Sequence, residues 1–395
     1  MRFLKILPLL MVLFPGVVIA QTTVDSLTYH LDEYLHKKDL PGFAVVILNN
    51  KGPIYQKGFG YADIKNQKTF TPKTIQNIGS VSKTVVAVAL MKAIELNYFT
   101  LETDINEILP FKVVNPYRPD QLIRVKDLTT HTSGIIDNED MFNRTYRFRK
   151  SSDLDPILGQ FMKAHGYTSD LADTTLQTFL KSYLSPTGKL YSAKNFYDSE
   201  PGKRASYSNV GSALAAYLIE VKSGMSFPAF TEKYVFGPLK MHHSDWYLTR
   251  RNLKQHSVPY FTKQMAFPYY TLTTYPDGGL RTSALDLSKY VLEMIRGLNG
   301  NSKILANESV KTMFKPVFTA ATVPANMNLQ TRNKGVFWNI YNDGYIGHDG
   351  DDPGVTTNIL FNDHIGIVFL TNIYLKERTD ILKILKKYGE RLVKK

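Results

Sequence analysis

The sequence of 395 residues contains no cysteine. Disulfide bonds and a lipid-modified cysteine are therefore excluded, and the fold has to be stabilised by its hydrophobic core. Hydrophobic residues account for 43% and charged residues for 21% of the chain, which is ordinary globular composition. The sequence also lacks internal repeats and low-complexity segments, which argues against a repeat protein and against a broadly disordered chain.

Long apolar runs are confined to the N-terminus. A basic start, Met1–Lys5, precedes an apolar stretch from Ile6 to Val18, and the segment ends at Ala20. This pattern predicts a secretory signal peptide over residues 1–20, a mature domain over residues 21–395 and a secreted or periplasmic location. The alternative is a membrane anchor, but the run is short for a spanning helix. We therefore expect no stable membrane anchor after cleavage.

Positive charge exceeds negative charge, with 48 Lys and Arg residues against 35 Asp and Glu residues. A basic protein can be attracted to nucleic acid or to anionic surfaces. Here the positive residues are scattered, except for a group from Lys383 to Lys395 that is predicted to form the solvated face of a C-terminal amphipathic helix. No feature indicates nucleic-acid binding. An acidic wall polymer or membrane headgroups stay the weaker alternative.

The conspicuous histidines do not predict a metal site. His242 and His243 are adjacent, so their side chains point apart, and no carboxylate or cysteine cluster accompanies them. His131 lies in Thr-His-Thr-Ser-Gly, where it is either a catalytic base or a histidine bonded within a polar turn. The second interpretation is favoured because its neighbours form local side-chain-to-backbone hydrogen bonds. We expect neither a metal nor a cofactor.

A serine and a lysine stand at the start of a predicted buried helix. The run from Val85 to Met91 is apolar all round, and Ser80 and Lys83 precede it at a spacing of three residues. This spacing brings a hydroxyl beside an amine on one helix face. A lysine whose pKa is lowered by desolvation can accept a serine proton. The pattern alone is weak, and the alternative is a helix N-terminus with an ordinary surface lysine.

Hydrophobic periodicity places strands near both ends of the chain. Strands are predicted at Phe43–Leu48 and Ile54–Gly60, and a second hairpin joins Val355–Phe361 to Ile365–Thr371. Helices are predicted at 24–36 and 380–394. The fold class is therefore α/β (α+β), with an antiparallel sheet built from both chain ends and flanked by helices. A mostly helical subdomain is expected at about 96–270, and residues 138–203 within it form an insertion or lid.

Three short motifs occur in a particular order: Ser80-Val81-Ser82-Lys83, Tyr207-Ser208-Asn209 and His348-Asp349-Gly350. In this combination the chain resembles the serine β-lactamase/penicillin-binding-protein superfamily. It is most similar to the class C branch, which includes family VIII esterases and D-aminopeptidases. The resemblance extends over roughly residues 40–372 and implies a β-lactamase/transpeptidase-like fold.

The resemblance also implies roles for the first two motifs. Ser80 would be the acylated nucleophile and Lys83 its proton partner. Tyr207 would activate Ser80 and then protonate the leaving group, and nearby positive charge would favour its phenolate form. Asn209 would hold Lys83 and the substrate amide. Acylation followed by attack of water requires no cofactor.

The third motif departs from the family pattern. His348 stands where β-lactamases and carboxypeptidases usually have lysine, so strong β-lactamase activity is not expected. The backbone N–H of Asp351, which follows Gly350, would form an oxyanion hole with that of Ser80. Small residues are common where Asp351 and Asp352 stand. We hypothesise that Asp351 selects a cationic substrate, such as one with a free amine.

These observations predict an exported serine hydrolase that cleaves an ester or amide bond through an acyl-enzyme on Ser80. Its partner is a small-molecule ester or peptide substrate, with a cell-wall peptide among the candidates. One alternative is a penicillin-binding DD-peptidase or weak β-lactamase of the cell wall. A second alternative is a catalytically idle scaffold of the same fold.

Overall fold

An eight-stranded antiparallel sheet forms the centre of the molecule. The computed structural model describes residues 15–150 and 154–394. The strands are β1 Gly42–Asn49, β2 Gly52–Asp63, β3 Lys68–Thr69, β4 Ile75–Asn77, β5 Tyr146–Phe148, β6 Tyr260–Thr262, β7 Met265–Ala266, β8 Tyr270–Leu272, β9 Arg281–Ser283, β10 Arg332–Lys334, β11 Asn339–Tyr341, β12 Ile346–Asp352, β13 Val355–Phe361 and β14 Ile365–Thr371. The strand order of the central sheet is β10-β11-β12-β13-β14-β1-β2-β3, and three two-stranded sheets, β4-β9, β5-β8 and β6-β7, lie outside it.

Helices cover both faces of the central sheet, and short ones connect the remaining segments. A 3-10 turn at Gly79–Val81 leads into the second helix, and a π-helical turn occurs at Glu232–Phe236. The α-helices are Pro15–Lys37, Ser82–Glu95, Val125–Thr129, Glu139–Phe142, Pro156–Ala164, Leu176–Leu184, Asn209–Ser223, Phe227–Thr231, Gly237–Leu239, Arg250–Leu253, Ala284–Leu298, Asn307–Phe314 and Thr379–Val393.

Strand β1 is buried on both faces because two hydrophobic cores enclose the sheet. Alternate residues of a strand point to opposite faces. Val46 packs in the larger core, with the Ser82–Glu95 and Asn209–Ser223 helices. Val45 packs in the smaller core, with the first and last helices. The larger core therefore lies between the sheet and the helical region, and the Gly79–Val81 turn lies against β12 at this boundary.

The structure confirms the sheet assembled from both chain ends. The predicted hairpin of β13 and β14 has the expected bounds, and the first and last helices pack against each other. The C-terminal helix buries Ile381, Leu385 and Tyr388 and exposes Lys383 and Lys387, as its amphipathic pattern predicts.

The predicted insertion is joined to the rest of the fold and is not a separate domain. Phe179 and Tyr183 belong to the larger core, and β5 pairs with β8. Residues 138–203 are therefore integrated with the rest of the fold by packing and by strand pairing. The region at about 96–270 contains four short strands as well as helices.

The predicted signal peptide falls mostly outside the described residues, since residues 1–14 are not described. The Pro15–Lys37 helix continues past Ala20, and cleavage at this position stays a prediction. Within residues 15–150 and 154–394, no helix has the length and apolar character required to cross a bilayer.

Candidate active site

Ser80, Lys83 and Asn209 meet at the boundary between the sheet and the helical region. Ser80 lies in the 3-10 turn and is half-buried, whereas Lys83 is fully buried in the first turn of the following helix. Lys83 Nζ lies 3.0 Å from Ser80 Oγ and 2.6 Å from Asn209 Oδ1. The predicted pairing of a hydroxyl with an amine is therefore present, with Asn209 beside it.

The hydrogen bonds of Lys83 suit either protonation state. As an ammonium, Nζ donates to Ser80 Oγ, to Asn209 Oδ1 and to the backbone oxygen of Asp277 at 2.6 Å. As a neutral amine, it keeps two N–H bonds to the two carbonyl oxygens and turns its lone pair to the Ser80 hydroxyl. Burial lowers the pKa of Lys83, although nearby carboxylates, including Asp277 and Asp137, oppose the shift.

Tyr207 lies against the same pair with its ring partly open to solvent. Lys83 Nζ is 4.8 Å from the ring centroid, and the residue is 44% exposed. Burial raises the pKa of Tyr207 well above its ordinary value, and nearby Asp349 raises it further, whereas a hydrogen bond with Ser80 lowers it. Burial and the nearby carboxylates therefore oppose the phenolate form, which positive charge was expected to favour.

His131 holds the Tyr207 segment in place. Its ring centroid is 4.5 Å from that of Tyr207, and its Nδ1 accepts the backbone N–H of Ser208 at 3.2 Å. Its backbone oxygen accepts the N–H of Ser206. Burial lowers the pKa of His131 well below its ordinary value, so the ring is neutral. The structure thus favours the bonded-histidine interpretation, with partners in the second motif.

Asp137 organises the second motif, and sequence reasoning missed it. Its carboxylate accepts the backbone N–H groups of Asn209 and Val210, each at 2.9 Å, and the Ser208 hydroxyl at 3.3 Å. It therefore stabilises the start of the Asn209–Ser223 helix. The chain distance to these partners is more than 70 residues, so no local pattern could identify it.

The predicted oxyanion donors lie at a very close backbone approach. A β-carbon placed on Gly350 would be 3.0 Å from the Ser80 nitrogen and 2.1 Å from the Ile78 oxygen. A β-carbon placed on Gly79, where φ is +52°, would be 2.8 Å from the Asp351 nitrogen. Glycine at both positions allows β12 to contact the Gly79–Val81 turn closely. This contact places the backbone nitrogens of Ser80 and Asp351 on neighbouring segments.

The two carboxylates after Gly350 have different surroundings. Asp351 accepts hydrogen bonds from Thr356 Oγ1 at 2.8 Å and from Arg378 at 2.6 Å. The positive charge of Arg378 therefore compensates the charge of Asp351. Asp352 accepts the Tyr146 hydroxyl at 2.6 Å. Burial raises the pKa of Asp352 to about 7. The hypothesis that Asp351 selects a cationic substrate is not supported by this orientation.

His348 is a buried neutral histidine. Its Nδ1 lies 2.6 Å from the backbone oxygen of Asp349, and because a carbonyl only accepts, this nitrogen carries the proton. Burial lowers the pKa of His348 to about 4, although the Asp349 carboxylate opposes the shift. His348 therefore supplies no positive charge at neutral pH.

Two cavities lie near this site. A cavity of about 380 Å³ is lined by Tyr207, His131 and residues of β10. A larger cavity, of about 670 Å³, is lined in part by Thr129, Thr130 and Thr132 and by no residue of the three motifs. Of the residues in the three motifs, Tyr207 forms part of the wall of the smaller cavity. His243 lies elsewhere, 3.7 Å from Asp286.

Known proteins resemble this chain over most of its length. Protein flp of Staphylococcus aureus (strain N315) is 22% identical over 361 residues, which cover 90% of this chain and 63% of that protein. PbpX of Bacillus subtilis (strain 168) is 24% identical over 298 residues, which cover 74% and 63%. The chain therefore spans less than two thirds of the length of these relatives.

A solved structure is similar in fold. It is described as the octameric penicillin-binding protein homologue from Pyrococcus abyssi, and it has a TM-score of 0.71 at 23% sequence identity. The similarity covers 92% of this chain and 76% of that one. The family model described as Beta-lactamase matches residues 27–384. Since the match extends over nearly the whole chain, the protein belongs to the beta-lactamase family.

Proposed function

We propose that this protein is a serine hydrolase that cleaves an ester or amide bond through an acyl-enzyme on Ser80. The observation that carries the proposal is the contact of a fully buried amine, Lys83 Nζ, with the Ser80 hydroxyl at 3.0 Å. A serine hydroxyl is a weak nucleophile until a neighbouring base takes its proton. A lysine whose pKa is lowered by burial is such a base.

The proton transfers follow from the protonation states. Neutral Lys83 takes the Ser80 proton as Oγ attacks the carbonyl carbon. Tyr207, which is a phenol at rest, donates its proton to the leaving group when the scissile bond breaks. The Lys83 ammonium, which lies over the Tyr207 ring, then returns a proton to the phenolate. A water molecule attacks the acyl group, and the reverse transfers release Ser80.

The developing negative charge on the carbonyl oxygen requires donors. The backbone N–H groups of Ser80 and Asp351 are the proposed donors, because the contact between β12 and the serine turn brings them together. The Asp351 carboxylate does not oppose this charge strongly, since Arg378 compensates it. A family VIII esterase-like or D-aminopeptidase-like member of the class C branch is the proposed subclass.

Intact-mass spectrometry after incubation with a fluorophosphonate tests the proposal. We expect one adduct on the wild-type protein and none on Ser80→Ala. Ser82→Ala is the matched control, because its hydroxyl accepts the Leu280 N–H at 3.1 Å and should leave labelling intact. Absence of an adduct on folded wild-type protein would contradict the proposal and favour an idle scaffold.

A parallel incubation with a penicillin separates the related activities. A long-lived penicillin adduct that depends on Ser80 would assign the chain to the penicillin-binding DD-peptidases, and rapid turnover would indicate a β-lactamase. We expect neither, because neutral His348 stands where these enzymes usually have a lysine. An adduct with the fluorophosphonate alone indicates an esterase or peptidase.

Export is part of the same proposal. A basic start and a short apolar stretch before Ala20 support a signal peptide, and the proposed location is secreted or periplasmic. The N-terminal sequence of the protein recovered after expression with its leader tests this. A chain beginning at Gln21 is expected, and an unprocessed chain would contradict it.

A further inference from the structure

The cavity of about 670 Å³ lies outside the proposed active site. It is enclosed by residues of the segments 121–132 and 312–323, with Pro201 and Lys203 beside them. Its volume falls within the range of about 300 to 1,000 Å³ that is usual for small-molecule sites. Neither Ser80 nor Tyr207 lines it. The proposed hydrolysis therefore leaves this cavity without an assigned ligand.

The apolar part of the wall continues from the interior to the surface. Val336 is buried, and Leu101 and Phe318 are half-buried. Leu122 and Val317 line the same cavity and are 51% and 45% exposed. Single exposed apolar residues are ordinary, but apolar surface that leads from a rim into a cavity is typical of a binding site. This wall favours a ligand with an apolar body.

The threonines in the wall have their hydrogen bonds satisfied within the protein. Thr129 and Thr130 both donate to the backbone oxygen of Lys126, at 2.8 and 2.9 Å. The Thr132 hydroxyl lies 2.8 Å from that of Thr130. These buried hydroxyl groups therefore do not require a polar ligand group beside them, so the polar end of a ligand belongs at the exposed rim.

Positive charge prevails around the cavity. Glu102 is shared by two of the basic residues, at 2.6 Å from Lys126 and 3.7 Å from Arg124. Lys203 and Lys315 are exposed, and within residues 15–150 and 154–394 they form no ion pair. The lining has four basic and two acidic residues, which gives a formal charge of +2: Arg124, Lys126, Lys203 and Lys315 against Glu102 and Asp127. The rim is therefore complementary to an anion.

We infer that this cavity binds a long-chain monocarboxylate, with the carboxylate at Lys203 and Lys315 and the chain against Val336 and Phe318. The site is separate from Ser80 and goes beyond the proposed function. The two cavities share Thr130 in their walls, whereas His131 lines only the smaller one.

Calorimetry with three probes tests the inference. Dodecanoate and dodecyltrimethylammonium have the same chain and opposite charge, and each is used below its micelle concentration. We expect dodecanoate to bind about 10-fold more tightly, because the two exposed lysines attract one head group and repel the other. Octanoate should bind about 100-fold more weakly than dodecanoate, because it buries four fewer methylene groups. Equal affinities in either comparison would overturn the inference.

Matched variants locate the two ends of the ligand. The double variant Lys203→Gln/Lys315→Gln should bring the affinity ratio of the two twelve-carbon probes near one. Lys73→Gln is its control, because Lys73 is exposed and does not line the cavity. Val317→Glu should weaken dodecanoate binding by at least about 10-fold. Ile157→Glu is the control for this change, because Ile157 is 64% exposed on another helix.

Labelling with the fluorophosphonate separates this site from Ser80. Dodecanoate affinity should survive labelling, and its loss would overturn the inference by placing the probe at the active site. Failure of wild-type labelling would instead contradict the proposed function, and the probe and variant affinities would still test this site. A dimer in sedimentation velocity that Val317→Glu dissociates would overturn the inference in favour of a second copy of the chain. If circular dichroism shows that Val317→Glu is unfolded, the lysine double variant decides the matter.

Discussion

Asp351 and Arg378 form an ion pair with a separation of 2.6 Å, beside the proposed oxyanion position. Thr356 donates a second hydrogen bond to the same carboxylate. Arg378, which precedes the last helix, therefore compensates the negative charge of Asp351. The backbone N–H of Asp351 can then bind the substrate oxygen without interference from its own side chain.

Replacement of Asp351 should consequently affect stability more than selectivity. In Asp351→Asn the ion pair with Arg378 is lost while an oxygen for Thr356 remains. We expect the free energy of unfolding to fall by about 1 to 2 kcal/mol, between the values for exposed and buried pairs. The ratio of kcat/KM for amine-bearing and neutral acyl substrates should change less than about twofold. A selective loss of the amine-bearing substrate would restore the hypothesis of cation recognition.

The carboxylate of Asp352 should shift the pH dependence of acylation through Lys83. Acylation requires neutral Lys83, so kcat/KM rises with pH through the pKa of this residue. Ionised Asp352 raises the pKa of Lys83. Asp352→Asn removes that charge, so the rising limb of the pH–rate profile should move to lower pH. Asp343→Asn, at an exposed aspartate paired with Lys386, should leave the limb in place.

Ionisation of Asp352 should also make stability depend on pH. Because burial raises its pKa to about 7 in the folded state, the folded protein favours the protonated form. This contribution is present below the pKa of an unfolded aspartate and is lost as the pH rises through about 7. The Asn side chain resembles the protonated acid, so it does not lose this contribution. In thermal unfolding, the Tm of Asp352→Asn minus the Tm of wild type should therefore increase by about 2 °C from pH 5 to pH 8. A Tm difference that decreases from pH 5 to pH 8 would contradict the raised pKa of Asp352.

Asp137 should act as a positioning residue for the second motif. Asp137→Ala leaves the N–H groups of Asn209 and Val210 without their carboxylate, which costs about 1 to 3 kcal/mol of stability. Displacement of Asn209 and Tyr207 should also reduce the fluorophosphonate rate by about 10-fold to 100-fold. Asp140→Ala is the control, since this aspartate is exposed. Rescue of the rate by Asp137→Asn, with one oxygen retained, would distinguish positioning from general loss of folding.

Local patterns were sufficient for much of the fold. The hairpin of β13 and β14 has two apolar runs separated by a polar turn, and both strands are fully buried. The run from Val85 to Met91 in the Ser82–Glu95 helix is apolar all round, which predicted the burial of this run. These features depend on neighbours in sequence, so the sequence could predict them.

The electrostatics of the site could not be predicted in the same way. The orientation of Asp351 depends on Arg378, and the stabilisation of Asn209 depends on Asp137, 72 residues earlier. Positive charge near Tyr207 was expected to favour its phenolate, but burial and, to a smaller extent, carboxylates from several segments raise its pKa.

Gly350 should be required for the oxyanion site itself. In Gly350→Ala the new methyl group would lie 2.1 Å from the Ile78 oxygen and 3.0 Å from the Ser80 nitrogen, so β12 and the serine turn must separate. A displacement of about 1 Å at a reacting group can reduce a rate by about 100-fold, and we expect a loss of this size in fluorophosphonate labelling. Gly159→Ala is the control, because its methyl group would make an ordinary contact of 3.7 Å with Leu154 and should not slow labelling. Labelling of folded Gly350→Ala at the wild-type rate would show that the reaction does not depend on this backbone contact, and the donors would then have to be sought elsewhere.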